Sequence, residues 1–306
     1  MKDISVIIPT HAYKNRDVNL GILISSLLKK ENIEYIGEIL IIDNGCTLSG
    51  KPFMENRSVI KVIQEPKIGL NNARNCGISN AREYVVAFLD DDVIVTKKWA
   101  ENLSKDHKTK GVLCVGGQVV LQKNIKLPYW MSKYFTRFLF PPSFPDDSGP
   151  LKPPYYLIGA NMSFKKDVFN KFGFFDSELD RKGSNLLSNG DTEFIIRMPK
   201  ESVWYSKDAK VCGVIKTERF TRMFMIRRLF WQGISDYLMV SSNGVSNFYD
   251  KDEIFISIRF MKIFISKLLT LKFFECFCGL VRILGYYFGF IYKKRGGQNV
   301  TSVPLE

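Results

Sequence analysis

Three consecutive carboxylates, Asp90-Asp91-Asp92, follow directly on the apolar run Val85–Leu89. Adjacent carboxylates repel and raise one another's pKa unless a cation lies among them. A hard divalent ion such as Mg²⁺ or Mn²⁺, bound by one or two carboxylates and completed by phosphate oxygens, suits that arrangement. The plainer alternative is a solvated acidic turn capping a helix that begins near Lys97. Asp43-Asn44-Gly45-Cys46-Thr47 closes another apolar run. A carboxylate there could accept hydrogen bonds from a nucleobase N–H or a ribose hydroxyl, although Asn-Gly is also ordinary turn chemistry. Ser5-Val6-Ile7-Ile8-Pro9-Thr10 closes a third run, so Thr10 or His11 would border the same crevice, with His11 read as a surface loop residue ahead of a ligand.

Other positions could supply anion binding and proton transfer. Lys67 to Gly77 opens a helix with amide donors and Arg74 one turn in. That suits a nucleotide or anionic group; the alternative is a turn glycine, Gly69, followed by a solvated helix charge. Asn189-Gly190-Asp191-Thr192-Glu193 is a second acidic cluster, in which a partly desolvated Asp191 could take a proton from an attacking hydroxyl. Ser188 and Asp191 also fit a helix-capping pattern. Arg219, Arg222, Arg227 and Arg228 are interleaved with Phe220, Phe224, Phe230 and Trp231. Such a stretch could bind single-stranded nucleic acid, clamp a diphosphate, or face a membrane. No helix-turn-helix, zinc-finger or RNP pattern accompanies it.

These residues need elements to position them. Five short runs rich in Val, Ile and Leu read as parallel strands buried on both faces: Ile4–Ile8, Glu38–Ile42, Val59–Ile63, Val85–Leu89 and Leu113–Val120. Between them, Val18–Lys29 and Asn71–Arg82 carry apolar residues at helical spacing. Six of the twelve prolines fall in Pro141–Pro154, which predicts a loop. Beyond it the pattern predicts helices over Lys165–Phe172 and from near Gly190, and a strand near Ser202–Tyr205.

The chain has 306 residues, a formal charge of +13 and 45% hydrophobic residues, which excludes intrinsic disorder. The charge leaves nucleic acid, an anionic membrane or a phosphate-bearing substrate as partner classes. Residues 216–306 hold 14 Lys and Arg against 7 Asp and Glu, so about half of the excess lies in the last third. There Ile254–Lys272 carries one polar stripe, Arg259, Lys262, Ser266 and Thr270. Phe273–Tyr292 is long enough to span a bilayer, but interior Glu275 and Arg282 disfavour spanning and leave an interfacial or protein-packed helix open. Six scattered cysteines without a CxxC pair suggest neither a zinc site nor a disulfide framework, and the short N-terminal apolar run is no signal peptide; both point to the cytoplasm.

The order and spacing of these segments resemble glycosyltransferase family 2, the inverting transferases of GT-A fold. The resemblance runs over Ser5–Thr10, Asp43–Thr47, Gly69, Ala73-Arg74-Asn75, Gly77 and a DxD motif on Asp90-Asp91-Asp92. It continues through Gly159-Ala160-Asn161-Met162-Ser163 and Gly173-Phe174-Phe175-Asp176 to Gly190-Asp191. It implies an α/β catalytic domain over 1–215, with a nucleotide-binding half at 1–120 and an acceptor and base half at 121–215, and a basic helical region over 216–306. It further implies a nucleotide-sugar donor bound by Pro9, Thr10, Asp43, Arg74, Asp90, Asp91 and Asn161, a Mn²⁺ or Mg²⁺ ion on Asp92, and Asp191 as catalytic base. The acceptor would be a lipid-linked glycan met peripherally at the inner membrane face in surface polysaccharide synthesis, and nucleic acid drops out as a partner. Two positions depart from the family pattern: Gly190 stands where Glu is usual, and Gly213 where a histidine often follows the late strand. A catalytically degenerate or non-enzymatic binder at the membrane surface is the alternative expectation.

Overall fold

The computed structural model describes residues 2–11, 16–45, 58–121, 126–139, 144–151, 157–182, 185–213, 217–241 and 273–294. The expected polar stripe over 254–272, Cys46, Thr47 and parts of the proline-rich run lie outside the described residues. The chain divides into two compact units, one of residues 1–125, 141–175 and 198–215, the other of 126–140, 176–197 and 216–306.

The first unit is built on a nine-stranded sheet: β1 (Ile4–Thr10), β2 (Ile36–Asn44), β3 (Ile60–Glu65), β4 (Val85–Leu89), β5 (Val93–Val95), β6 (Cys114–Leu121), β7 (Gly149–Pro150), β8 (Asn161–Lys165) and β9 (Val203–Gly213). Its order is β3-β2-β1-β4-β8-β6-β9-β5, with β7 paired to β9. Strands β1 to β4 run parallel, as the unbroken apolar runs predict, because both faces are covered. The helices of this unit are α1 (Arg16–Leu27), α2 (Lys30–Ile33), α3 (Leu70–Asn80), α4 (Trp99–His107) and α6 (Asp167–Phe172), with α5 (Lys133–Thr136) in the second unit. Leu20, Leu23 and Leu27 of α1 are fully buried in the core with Ile4, Val6 and Ile8 of β1. Each such side chain contributes roughly 1.5–3 kcal/mol of transfer free energy.

Three features differ from the sequence-based expectation. Strand β8 stands antiparallel between β4 and β6, where a simple βαβ series would put β6 beside β4. The acidic triplet leads into the short strand β5, which pairs with the end of β9, so it does not cap a helix. Within the proline-rich run, Gly149 and Pro150 form an edge strand opposite Tyr205 and Trp204, a place where a missing amide donor is tolerated.

A buried carboxylate ties the far end of the sheet together. Glu38 accepts hydrogen bonds from Ser5 Oγ (2.8 Å), Lys61 Nζ (3.0 Å) and the Arg82 amide (2.7 Å). Burial pushes its pKa up, but the bonds from Lys61, Ser5 and Arg82 outweigh that and hold it below the ordinary carboxylate value. Its contribution to stability is therefore present above the unfolded pKa and lost as pH falls through the lower folded value. Glu38→Gln should cost about 1.5–3 kcal/mol at pH 7. Urea melts of both proteins should converge as the pH falls through the lowered folded value, and a gap independent of pH would contradict this role.

In the second unit, α8 (Arg222–Ser241) packs against α9 (Phe273–Lys294) at close range. A Cβ on Gly233 would lie 2.0 Å from the Arg282 carbonyl oxygen, and one on Gly285 would lie 2.1 Å from that of Phe230. Only glycine allows this approach of the two backbones. The contact also satisfies a charge inside the apolar helix, since Arg282 Nε and Nη2 both donate to Asp236 Oδ2, at 2.9 and 2.5 Å. α9 alone among the described helices is long and apolar enough to cross a membrane.

Candidate functional site

Parallel register brings two of the singled-out residues, Thr10 and Asp43, into one row with Gln64, which the sequence did not single out, at the carboxyl ends of β1, β2 and β3: Thr10 opposite Asp43, and Asp43 opposite Gln64. Ligands of open α/β sheets bind beyond this edge. Asp43 is fully buried, and its Oδ2 accepts from Gln64 Nε2 at 2.7 Å. Pro9 precedes Thr10 in the same register, opposite Ile42. Thr10 Oγ1 donates to Asp91 Oδ2 at 2.5 Å, which joins the end of β1 to the acidic triplet. Asp91 is buried, whereas Asp90 and Asp92 are half-buried. His11 is exposed and bonds through Nδ1 to the Asn44 carbonyl oxygen (2.7 Å).

Asn44, read in the sequence only as turn chemistry, organises the approach to α3. Its Oδ1 accepts from the Gly69 amide, and its Nδ2 donates to the carbonyl oxygens of Glu65 and Lys67. Gly69 has φ 144°, a conformation that only glycine adopts without strain. Arg74 is buried, donates to Asn71 Oδ1 (3.1 Å) and lies 5.3 Å from the centre of the Phe175 ring. Asn75 brackets the backbone of Phe175 in both directions, at 2.9 and 3.0 Å. The Ala-Arg-Asn and Gly-Phe-Phe-Asp segments, a hundred residues apart, thus form one support that fixes the guanidinium of Arg74.

Asn161 has a different place from the one expected of a donor ligand. It is buried, its Nδ2 donates to Ala209 and Gln118 carbonyl oxygens, and its Oδ1 accepts from Trp99 Nε1. With both donors and an acceptor engaged, it locks β8 to β6, β9 and α4. Gly117 makes room for it, since a Cβ there would lie 2.2 Å from Asn161 Nδ2.

For a divalent ion, the donor set is hard oxygen on Asp92 and Asp90, with Asp91 bonded to Thr10. Among the described residues, no three His, Cys, Asp or Glu side chains could hold an ion together. Gly213 pairs with Val93, the residue after Asp92, and a Cβ there would meet only ordinary contacts at 3.5 and 3.7 Å. This place is therefore empty of a ligand for want of a side chain, not of room. Two carboxylates completed by phosphate oxygens and water remain a chemically adequate set for Mg²⁺ or Mn²⁺.

Asp191 belongs to the second unit, at the start of α7 (Gly190–Ile196). It is half-buried, and its Oδ1 accepts from the Thr192 amide (2.9 Å). The capping expected of Ser188 does not occur. Asn189, at φ 74°, occupies the cap position without a side-chain cap bond, and Ser188 Oγ instead donates to Gln232 Oε1 (3.0 Å). The Ser188 amide bonds Ser235 Oγ, and Asn189 Nδ2 bonds Asp236 Oδ1. Helix α8 thereby holds the segment that enters α7, a role no local signal in residues 188–191 reveals.

The sequence profile of glycosyl transferase family 2 matches residues 5–173, more than half of the chain. The chain belongs to that family. Over 210 residues it is 28% identical to a glucosyl-dolichyl phosphate glucuronosyltransferase of Haloferax volcanii, covering 60% of this chain and 61% of that protein. Over 98 residues it is 29% identical to the succinoglycan biosynthesis protein ExoM of Rhizobium meliloti, covering 30% and 32%. It thus spans less than two thirds of either relative. Among solved structures, S. aureus TarS 1–349 in complex with UDP aligns over 96% of this chain and 92% of its own at TM-score 0.51 and 16% identity. GalNAc-T7 with UDP, GalNAc and Mn²⁺ aligns over 80% and 52% at TM-score 0.50 and 15% identity. These likenesses show a shared GT-A fold.

Proposed function

We infer that this family 2 chain is an inverting glycosyltransferase that moves a sugar from a nucleoside-diphosphate donor to a hydroxyl of a lipid-linked glycan. The observation that carries this reading is the row Thr10, Asp43 and Gln64 beside Asp90–Asp92 at the ligand-binding edge of the sheet. The names of the relatives, a transferase acting on a glucosyl-dolichyl phosphate and a polysaccharide biosynthesis protein, support the acceptor class. UDP in the TarS and GalNAc-T7 structures supports the donor class.

In this mechanism Asp43 accepts hydrogen bonds from the nucleobase, Arg74 steadies it, and Pro9 and Thr10 border it. Asp90 and Asp91 line the ribose and diphosphate. Asp92, with Asp90, would hold the divalent ion, which offsets negative charge on the departing diphosphate. Asp191 takes the proton of the acceptor hydroxyl as that oxygen attacks the anomeric carbon opposite the leaving group, inverting its configuration. The basic, aromatic-rich second unit, with Lys293 and Lys294 ending α9, meets the inner membrane face peripherally, and the charge of Arg282 inside the apolar helix is paired with Asp236.

Calorimetry with UDP, GDP and dTDP in the presence of Mn²⁺ tests the donor reading. One nucleotide should bind, and Asp92→Ala should weaken its Mn²⁺-dependent affinity about tenfold or more. Equal affinity in the variant would remove Asp92 from metal binding.

A further inference from the structure

In the second unit, three guanidinium groups surround one phenyl ring. The centre of Phe138 lies 5.0 Å from Cζ of Arg137, 5.8 Å from that of Arg282 and 5.9 Å from that of Arg228. Arg181 and Arg219 are close enough to act on Arg228 electrostatically, and Asp236 is the carboxylate that opposes them. Asp236 is already engaged, with Oδ2 taking both bonds from Arg282 and Oδ1 bonded by Gln232 and Asn189.

Arg228 is the unsatisfied member. It is half-buried, and its Nη1 is sealed from solvent without a hydrogen-bond partner among the described residues. Burial and then the charge of Arg181 push its pKa down to about 9, with Asp236 opposing and Arg282 and Arg219 adding to the effect. It remains charged at neutral pH, in surroundings that penalise the charge. Charged groups perturbed in this way cluster at functional sites, where a ligand of opposite charge relieves them.

We propose that Arg228, with Arg137, Arg181 and Arg282, forms a binding site for a phosphate ester, the phosphate of the lipid-linked acceptor. Guanidinium forks suit phosphate oxygens, and the adjoining ring leaves the charges weakly hydrated. The placement favours the acceptor over the donor. Arg228 stands one helical turn before Gln232 on α8, and Gln232, Ser235 and Asp236 hold Ser188 and Asn189 at the entry to the helix of Asp191. Arg181 Nε also donates to the Leu187 carbonyl oxygen (3.3 Å) in that same segment. A phosphate held here lies on the proton-accepting side of the reaction. This assignment rests on Asp191 being the base, but the anion site can be tested without turnover.

The test is ligand-induced thermal stabilisation of the full chain with four probes: farnesyl phosphate, neutral farnesol, inorganic pyrophosphate and UDP with Mn²⁺. Farnesyl phosphate should stabilise the wild type and farnesol should not. Arg228→Met should weaken farnesyl phosphate binding roughly tenfold to a hundredfold, leave UDP binding unchanged, and leave the ligand-free melting temperature equal or higher because an unpaired charge has been removed. Arg228→Lys, which keeps the charge but loses the fork, should recover part of the affinity. Conversely, Asp43→Asn should lose UDP binding and keep farnesyl phosphate. Pyrophosphate binding as tightly as farnesyl phosphate, and lost in Arg228→Met, would support the anion site with phosphate alone as its determinant. Farnesyl phosphate binding that is absent in the wild type, or undiminished in Arg228→Met, overturns the proposal. Absence of UDP binding alone would count against the donor reading and leave this site standing.

Discussion

Asp191→Asn should reduce sugar transfer by about 10²–10⁴ while leaving nucleotide affinity within twofold of the wild type, a loss of the size that removal of a general base produces. The substitution is close to isosteric, and the amide oxygen of Asn can still accept the bond that Asp191 Oδ1 takes from the Thr192 amide. The fold of α7 is therefore expected to survive, as is its attachment through Ser188 and Asn189 to α8. Thr10, Asp43 and Arg74 belong to the other compact unit, so donor binding provides an internal control. Single-turnover transfer and UDP calorimetry on the same preparation distinguish the outcomes. Wild-type turnover in Asp191→Asn would remove this residue as the base, and a joint loss of UDP binding would point to structural damage.

Asp236→Ala is expected to have the largest effect on stability. Both carboxylate oxygens are occupied: Arg282 contributes two bonds, and Gln232 and Asn189 one each. The Asp236 and Arg282 side chains are 13% and 18% exposed, so water replaces little of what is lost. Removing one partner of a buried ion pair costs about 3–5 kcal/mol, chiefly because the other charge is left buried and uncompensated. Here the uncompensated charge would adjoin Arg228, which already lacks a partner for Nη1 among the described residues. Substituting the pair together, Asp236→Leu with Arg282→Leu, should recover most of the stability, since an apolar pair carries no desolvation cost. Turnover should not recover, because Asn189 loses its anchor at φ 74° next to Gly190 and Asp191. Denaturant melts and turnover of the single and double variants measure the two effects separately. A single variant as stable as the wild type would show that Asp236 carries no such load.

The parallel half of the sheet was legible because its strands are short, apolar and buried on both faces, which leaves a continuous hydrophobic signature. Val85–Leu89 has the same bounds in sequence and structure. Strand β8 was not legible as a strand, because Asn161-Met162-Ser163-Phe164-Lys165 has no strong pattern and owes its place to pairing with β4 and β6. Among the candidate residues, Thr10, Asp43 and Asp90–Asp92 could be found from their position after apolar runs, since strand ends converge wherever parallel strands share register. Asn161 shows the opposite case. The family resemblance implied a donor contact, but hydrogen bonds to Trp99, Gln118 and Ala209 make it a structural lock.

By itself, then, the sequence determined the parallel strands, the acidic edge and the family, because each depends on local pattern and order along the chain. The tertiary structure alone decided which charges are satisfied. The sequence does not say which of Arg282 and Arg228 is paired, but one meets Asp236 across a glycine-lined helix contact and the other keeps a buried N–H without an acceptor among the described residues. Pairing of that kind depends on where two distant helices cross, which neither composition nor periodicity encodes.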